Sequence, residues 1–263
     1  MANNDVRIIQ VSDLHLAEDL SFELKDVNTY QSSSQAMRAI NAPTADAVVV
    51  TGDISEDGSP ASYQHFKALC HQHNVHEPHC LPGNHDNLEN MTSELKGMPY
   101  CESLRLGNWL FIFVNTHRQG FDDGGIGTDE YQRITSLLTR HSEQHVALFM
   151  HHHALPTGSA WIDQYQIRDR DTFLAWLRDY PAIRAVITGH IHQTFSAIQE
   201  GVAFYGSPST CVQFVQGREK AEVAELGPGY RELVFRADGE IDTQVIHLSS
   251  FVSSNLKPQS LIK

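Results

Sequence analysis

The sequence predicts an α/β fold in which short buried strands alternate with helices and lead into one polar cleft. Two observations carry that prediction. Apolar, β-branched runs such as Val6 to Val11, Ala47 to Thr51 and Ile183 to Thr188 alternate with helix-like stretches. Five runs also end, within a residue or two, in side chains able to bind metal. In open α/β sheets, sites form beyond the carboxyl ends of the strands, where loops from distant parts of the chain meet.

The elements follow in order. Val6 to Val11 predicts a buried strand leading to Asp13-Leu14-His15, and Ala47 to Thr51 leads to Gly52-Asp53. Ser59 to His73 predicts a helix, with Pro60 suited to its first turn. The short Cys80-Leu81 strand runs into Pro82-Gly83-Asn84-His85-Asp86. Trp109 to Val114 predicts a strand. Thr128 to His141 predicts a helix with Thr128 as N-cap, and Asp129 and Glu130 lie near the positive end of its dipole. Val146 to Met150 leads to His151-His152-His153. Asp171 to Tyr180 predicts a helix stopped by Pro181, and Ile183 to Thr188 leads to Gly189-His190-Ile191-His192. The pattern then turns β-rich, with strands expected at Ala203 to Tyr205, Glu232 to Phe235 and Ile241 to Ile246. No repeat or linker divides the chain, so residues 1–248 are expected to form one domain. The polar stretch 249–263, which carries Pro258, is expected to fray.

The net charge of −13, with no basic stripe, argues against a nucleic-acid partner and against docking on an anionic membrane. A small-molecule substrate fits better. Four cysteines without a Cys-x-x-Cys pair suggest reduced, buried thiols. The start of the chain lacks a charged n-region, and no run approaches the ~18 apolar residues of a membrane span. A cytoplasmic protein is the expectation, with its oligomeric state open.

Histidine, present 16 times, matters for where it falls. Asp13 and His15, two apart at a strand end, can turn toward one ion, and His190 and His192 repeat that spacing. Asp53 can bridge two ions through its two oxygens. Asn84 adds an amide oxygen without charge, and His151 adds another nitrogen. Singly, each of these is commonplace: Asp-x-His is usually a turn or surface pair, and Gly-Asp after a strand is usually a turn. Together, at five strand ends, they form a constellation. Oxygen and nitrogen donors suit Mn, Fe, Zn or Co and argue against a thiolate site. Two divalent ions bring four positive charges; Asp13 and Asp53 remove two and a bridging hydroxide a third. The pocket therefore stays positive inside an acidic protein.

Asp13-x-His15, Gly52-Asp53, Gly83-Asn84-His85-Asp86, His151-His152 and Gly189-His190-x-His192 resemble the five blocks of the calcineurin-like metallophosphoesterase superfamily. The resemblance implies a four-layer αββα sandwich with two central mixed β-sheets. It implies one ion on Asp13, His15, Asp53 and His192, and another on Asp53, Asn84, His151 and His190, with iron and manganese the expected metals. His15, Asn84, His85 and His192 are the residues it places against substrate. Within the superfamily the chain is most similar to bacterial class III cyclic AMP phosphodiesterases. That similarity rests on His151 to Pro156, Gly158 to Gln164, Pro208 to Phe214 and Leu226 to Arg231. The implied reaction is hydrolysis of 3′,5′-cyclic AMP to 5′-AMP by hydroxide held between the metals. Another phosphoesterase of the superfamily, acting on glycerophosphodiesters, 2′,3′-cyclic nucleotides or a nucleotide-linked lipid precursor, is the alternative. A non-catalytic scaffold would not need the full ligand set.

His85, beside Asn84, is the expected acid for the leaving 3′ oxygen, with Asp53 the central catalytic carboxylate. Asp86 either orients His85 or caps the next turn. His152 and His153 either support His151 or touch the nucleotide. His65, His71, His73, His76 and His79 read as solvated, and Trp161 as a purine stacker or a packing residue. The chain departs from its relatives at Asn115, where Asp is common, and in the Gly-rich loop from Gln119 to Gly127.

Overall fold

In the computed structural model, which describes residues 5–40, 42–100 and 102–249, β1 (Val6–Val11) lies at the centre of a five-stranded sheet. The chain continues through a small hairpin, β2 (Glu23–Leu24) and β3 (Val27–Asn28), and then helix α1 (Thr29–Ala39). Strands β4 (Ala47–Thr51) and β5 (His79–Leu81) extend the sheet parallel to β1, with α2 (Pro60–Gln72) between them. Helix α3 (Leu88–Glu94) follows β5. The second sheet is built by β6 (Ser103–Leu106), β7 (Trp109–Phe113), β8 (His145–Met150), β9 (Ile183–Thr188), β10 (Phe195–Gln199) and β11 (Val202–Gly206). Its order is β10-β11-β9-β8-β7-β6, with β7, β8, β9 and β11 parallel and the two edges antiparallel. Helices α4 (Thr128–Arg140), α5 (Ala160–Asp163) and α6 (Arg170–Leu177) belong to this half. The chain then returns to the first sheet, where β12 (Gly229–Phe235) pairs antiparallel with β1 and β13 (Ile241–His247) with β12.

Strand alternation sorts side chains into layers. Val6, Ile8 and Val49 point inward against Phe111, Phe113, Phe149 and Ile187 of the other sheet. Their neighbours Ile9, Val11, Val48 and Val50 point outward onto Met37 of α1 and Tyr63, Phe66 and Leu69 of α2. On the far side, Ile112, Leu148 and Val186 pack under Ile134, Leu138 and Phe173 of α4 and α6. This is the expected αββα sandwich of two mixed sheets. Gln10 is the polar member of the inward face, and its Nε2 donates to Thr51 Oγ1 at 2.9 Å and to Thr188 O at 3.0 Å. It ties the two sheets together directly below the strand ends.

Several expectations need correction. Gly127, not Thr128, is the N-cap of α4; Thr128 begins the helix, and no side chain caps it. The helix expected over Asp171 to Tyr180 runs from Arg170 to Leu177 and gives way to turns before Pro181. His79 stacks on Phe113 at 4.9 Å, His65 Nδ1 donates to Ala17 O at 3.1 Å and His73 Nε2 lies 3.0 Å from Ser34 Oγ, so these three are half-buried and partnered, while His71 and His76 are exposed as expected. Helix α1 has no counterpart among the expected elements, since its run Gln31-Ser32-Ser33-Ser34-Gln35 lacks an apolar stripe. Ser32 Oγ donates to Thr210 O at 2.9 Å and Ser33 Oγ to Leu14 O at 3.3 Å, so the small hydroxyls seat the helix against site loops. Residues 250–263 of the expected frayed tail lie outside the described residues.

Candidate metal centre

The loops leaving β1, β4, β5, β8 and β9 meet at one end of the sandwich. They bring together Asp13, His15, Asp53, Asn84, His151, His190 and His192. Donor atoms of Asp13, His15 and His192 lie within 4.8 Å of one another, as do those of Asp13, Asp53 and His151. The backbone itself makes this possible. Asp13, His15, Asp53, His190 and His192 all adopt left-handed conformations, with φ between 49° and 68°. Each such non-glycine residue costs about 1–3 kcal/mol. The turns let the chain double back immediately after each strand, so side chains two apart face one point. At Gly52, with φ 91°, a Cβ would strike the His151 ring at Nδ1 and the backbone of Gly83. Only glycine fits there.

The hydrogen bonds assign the imidazole tautomers. His15 Nδ1 lies 2.7 Å from Glu56 Oε2 and His192 Nδ1 lies 2.8 Å from Val212 O, so both nitrogens are donors. Their Nε2 lone pairs then face each other at 3.1 Å. Asp13 Oδ1 is 3.4 Å from His192 Nε2, and Asp53 Oδ2 is 3.9 Å from His15 Nε2. His151 repeats the pattern. Its Nδ1 donates to Thr51 O at 2.7 Å, while Nε2 faces Asn84 Oδ1 at 3.1 Å and Asp53 Oδ2 at 3.3 Å. The buried Nε2 of His190 has no hydrogen-bond partner. Lone pairs aimed at lone pairs in a buried site repel unless a cation lies among them. The residues therefore fit metal ions. Without metal, a proton must serve that purpose: burial disfavours it, but the Asp53 and Asp13 charges push His151 up to about 9. Burial raises Asp13 and Asp53, yet the surrounding imidazoles hold both carboxyls below the usual range, Asp53 furthest.

His85 stands beside this cluster and is the more exposed member, with 37% of its side chain accessible. Its backbone N–H donates to Asp53 Oδ1 at 2.9 Å, and its Nδ1 lies 3.3 Å from Glu56 Oε2. Burial lowers the His85 pKa, but Asp53 and Glu56 outweigh it and the net shift is upward. Glu56, which sequence reasoning missed, thus touches both His15 and His85. The only sequence signal was its place three residues after Asp53. Asp86 does neither expected job: its carboxylate accepts from Gly83, Ile54 and Ser55 N–H and from Tyr63 OH, clamping the two loops together.

The remaining candidates, together with His117, pack around this cluster, and a donor atom of His152 lies within 4.8 Å of those of His151 and His190. His152 is fully buried, with Nδ1 2.8 Å from Thr116 Oγ1 and its ring 4.7 Å from that of His190. His153 Nε2 lies 3.4 Å from Asp163 Oδ1. His117 Nδ1 donates to Gly83 O at 2.8 Å, and Asn115 Oδ1 accepts from His117 N–H at 2.9 Å. Trp161 packs edge-on against Phe214, whose ring in turn lies 5.3 Å from His192. The segment from Ser207 to Gln213 is buried throughout, and Ser209 Oγ donates to Asp13 O at 2.7 Å.

Comparison with known proteins agrees with this geometry. The family described as calcineurin-like phosphoesterase matches residues 6–194. The 3′,5′-cyclic adenosine monophosphate phosphodiesterase CpdA of Vibrio vulnificus is 32% identical, over 95% of this chain and 93% of that protein. Its namesake from Escherichia coli K12 is 32% identical over 93% and 90%, and that of Pseudomonas aeruginosa 30% over 94% and 92%. Among solved structures, a dimetal phosphatase from Danio rerio superposes with a TM-score of 0.65, covering 93% of this chain and 99% of that one. At 15% identity it speaks to the fold alone. With five ligand-bearing loops at the strand ends and relatives spanning almost its whole length, the chain belongs to the calcineurin-like phosphoesterase family of metal-dependent hydrolases.

Proposed function

We propose that the protein hydrolyses 3′,5′-cyclic AMP to 5′-AMP at this centre. The observation that carries the reading is the convergence of seven nitrogen and oxygen donors with His85 at their open edge. The cyclic AMP assignment is supported by the names of relatives that are 30–32% identical over nine-tenths of the chain. Asp13, His15, Asp53 and His192 would hold one ion, and Asp53, Asn84, His151 and His190 the other, with iron or manganese suiting the donor set. Bound there, two such ions supply a nucleophile at neutral pH and neutralise charge on the phosphoryl oxygens.

The protein's own groups do the rest. His85 delivers a proton to the departing 3′ oxygen, and His15, Asn84 and His192 line the place where the phosphate sits. With Asp53 engaged by metal, Glu56 is the carboxylate left to keep His85 protonated and turned toward the cleft. Residues 1–248 act as one domain in this reading, since β12 and β13 complete the sheet that carries Asp13 and Asp53. The product is a nucleoside monophosphate, so the activity would lower a cyclic-nucleotide signal.

The test is turnover of 3′,5′-cyclic AMP, 2′,3′-cyclic AMP, glycerophosphocholine and bis-(p-nitrophenyl) phosphate by metal-reconstituted protein. Cyclic AMP is expected to show the highest kcat/KM, and Asp53→Ala to lose both activity and metal. Turnover of the generic diester without cyclic AMP would keep the family chemistry and overturn the substrate assignment.

A further inference from the structure

The loop between β7 and α4 is pinned to the site at both stems. On the entry side, His117 Nδ1 donates to the carbonyl of Gly83, the residue before Asn84. On the exit side, Gly124 lies so close to His152 that a Cβ would stand 2.5 Å from its Cγ. Gly124 N–H donates to Gln166 O at 3.3 Å, its carbonyl accepts from Arg168 N–H at 2.9 Å, and Gly125 N–H donates to Thr116 O at 3.0 Å. Residues 118–123 are therefore carried between two stems that are each fixed to a loop of the site.

That span carries an aromatic ring that folding leaves outside. Phe121 is 55% exposed, and the other large apolar side chains exposed among the described residues are aliphatic: Leu20, Ile198, Val223 and Leu226. Its placement is nonetheless specific. Phe121 N–H closes a turn onto Arg118 O at 3.1 Å, and the Arg118 guanidinium sits 4.0 Å from the ring centroid. Arg118 is itself ion-paired to Asp123. One face of the ring is thus held by a tethered cation, while more than half of the residue's surface stays exposed. The donor cluster described above suits a phosphate and offers nothing to a base.

We propose that Phe121, braced by Arg118, is the platform on which the substrate's purine stacks; this rests on the cyclic-nucleotide reading above. A ring fixed from behind loses little freedom when a flat ligand lands on it. Stacking accepts any base with a π-face, so this platform predicts little discrimination between adenine and guanine.

Kinetics of Phe121→Ala and Phe121→Trp test it, with cyclic AMP, cyclic GMP and the base-free ribose 3′,5′-cyclic phosphate as substrates. Phe121→Ala is expected to raise KM about tenfold for both purine substrates, with kcat and the base-free substrate unaffected, and Phe121→Trp to retain low KM. The 2-aminopurine analogue of the cyclic nucleotide should lose fluorescence on binding wild type and keep it with Phe121→Ala. Unchanged KM in Phe121→Ala, or an equal rise for the base-free substrate, overturns the platform while leaving the activity standing. Failure of wild type to hydrolyse either purine cyclic nucleotide overturns the activity and the platform together.

Discussion

His85 and Glu56 illustrate how single residues divide the work. Nδ1 of His85 faces Glu56 and its side chain is the most accessible of the cluster, which makes it the proton donor to substrate in the proposed reaction. General acid catalysis contributes ~10²–10⁴ in rate. His85→Ala is accordingly expected to lower kcat by about that factor while elemental analysis finds metal content unchanged. Wild-type turnover in that variant would remove His85 from the reaction. Asp53 is different in kind, because it lies within reach of both halves of the cluster and its loss should empty them.

At the scale of elements, α5 shows how the layer next to the donor cluster is held. Asp163, in this short helix, accepts from Thr157 N–H and Oγ–H at 2.8 Å each and from Gly158 N–H at 3.0 Å, and it faces His153. Burial opposes ionisation, but the His153 contact and the Thr157 donors lower the Asp163 pKa from 3.8 to about 2. A depressed carboxylate stabilises the fold fully above its unfolded pKa and loses that contribution as pH falls through the folded one. Asp163→Asn should therefore lower the urea midpoint at neutral pH, and the gap from wild type should close between pH 3.8 and about 2. A gap independent of pH would show that the charge of Asp163 contributes nothing.

The whole molecule depends on the apolar interface between its two sheets. Phe111 is fully buried there, with its ring 4.8 Å from Phe235 of the first sheet and 6.3 Å from Phe149 of its own. Removing such a ring costs about 3–5 kcal/mol through lost burial and the cavity left behind. Phe111→Ala should lower unfolding free energy by that amount in denaturant titration. Metal binding should recover part of the loss, because ligand loops from both sheets close only on the folded sandwich. Stability near that of wild type would mean that the sheets repack around the void.

The sequence alone determined the buried central strands and the residues at their ends, but not the hairpin β2–β3 or the edge strands β6 and β10. Apolar runs such as Ala47–Thr51 and Ile183–Thr188 are buried from both sides, and few other structures accommodate such short β-branched segments. The Asp, Asn and His residues that follow carry donor chemistry whatever their surroundings, which is why all seven could be proposed as ligands from the sequence. Contacts across the chain were not. Glu56 gains meaning only from His15 and His85, His152 from Thr116 and His190, and Ser32 from Thr210. Left-handed backbone at Asp13, His15, Asp53, His190 and His192 runs against local preference and is kept only by the packing around it. The tertiary structure decided which nitrogen of each imidazole faces inward, because the acceptors for the others, at Glu56, Thr51 and Val212, come from different loops.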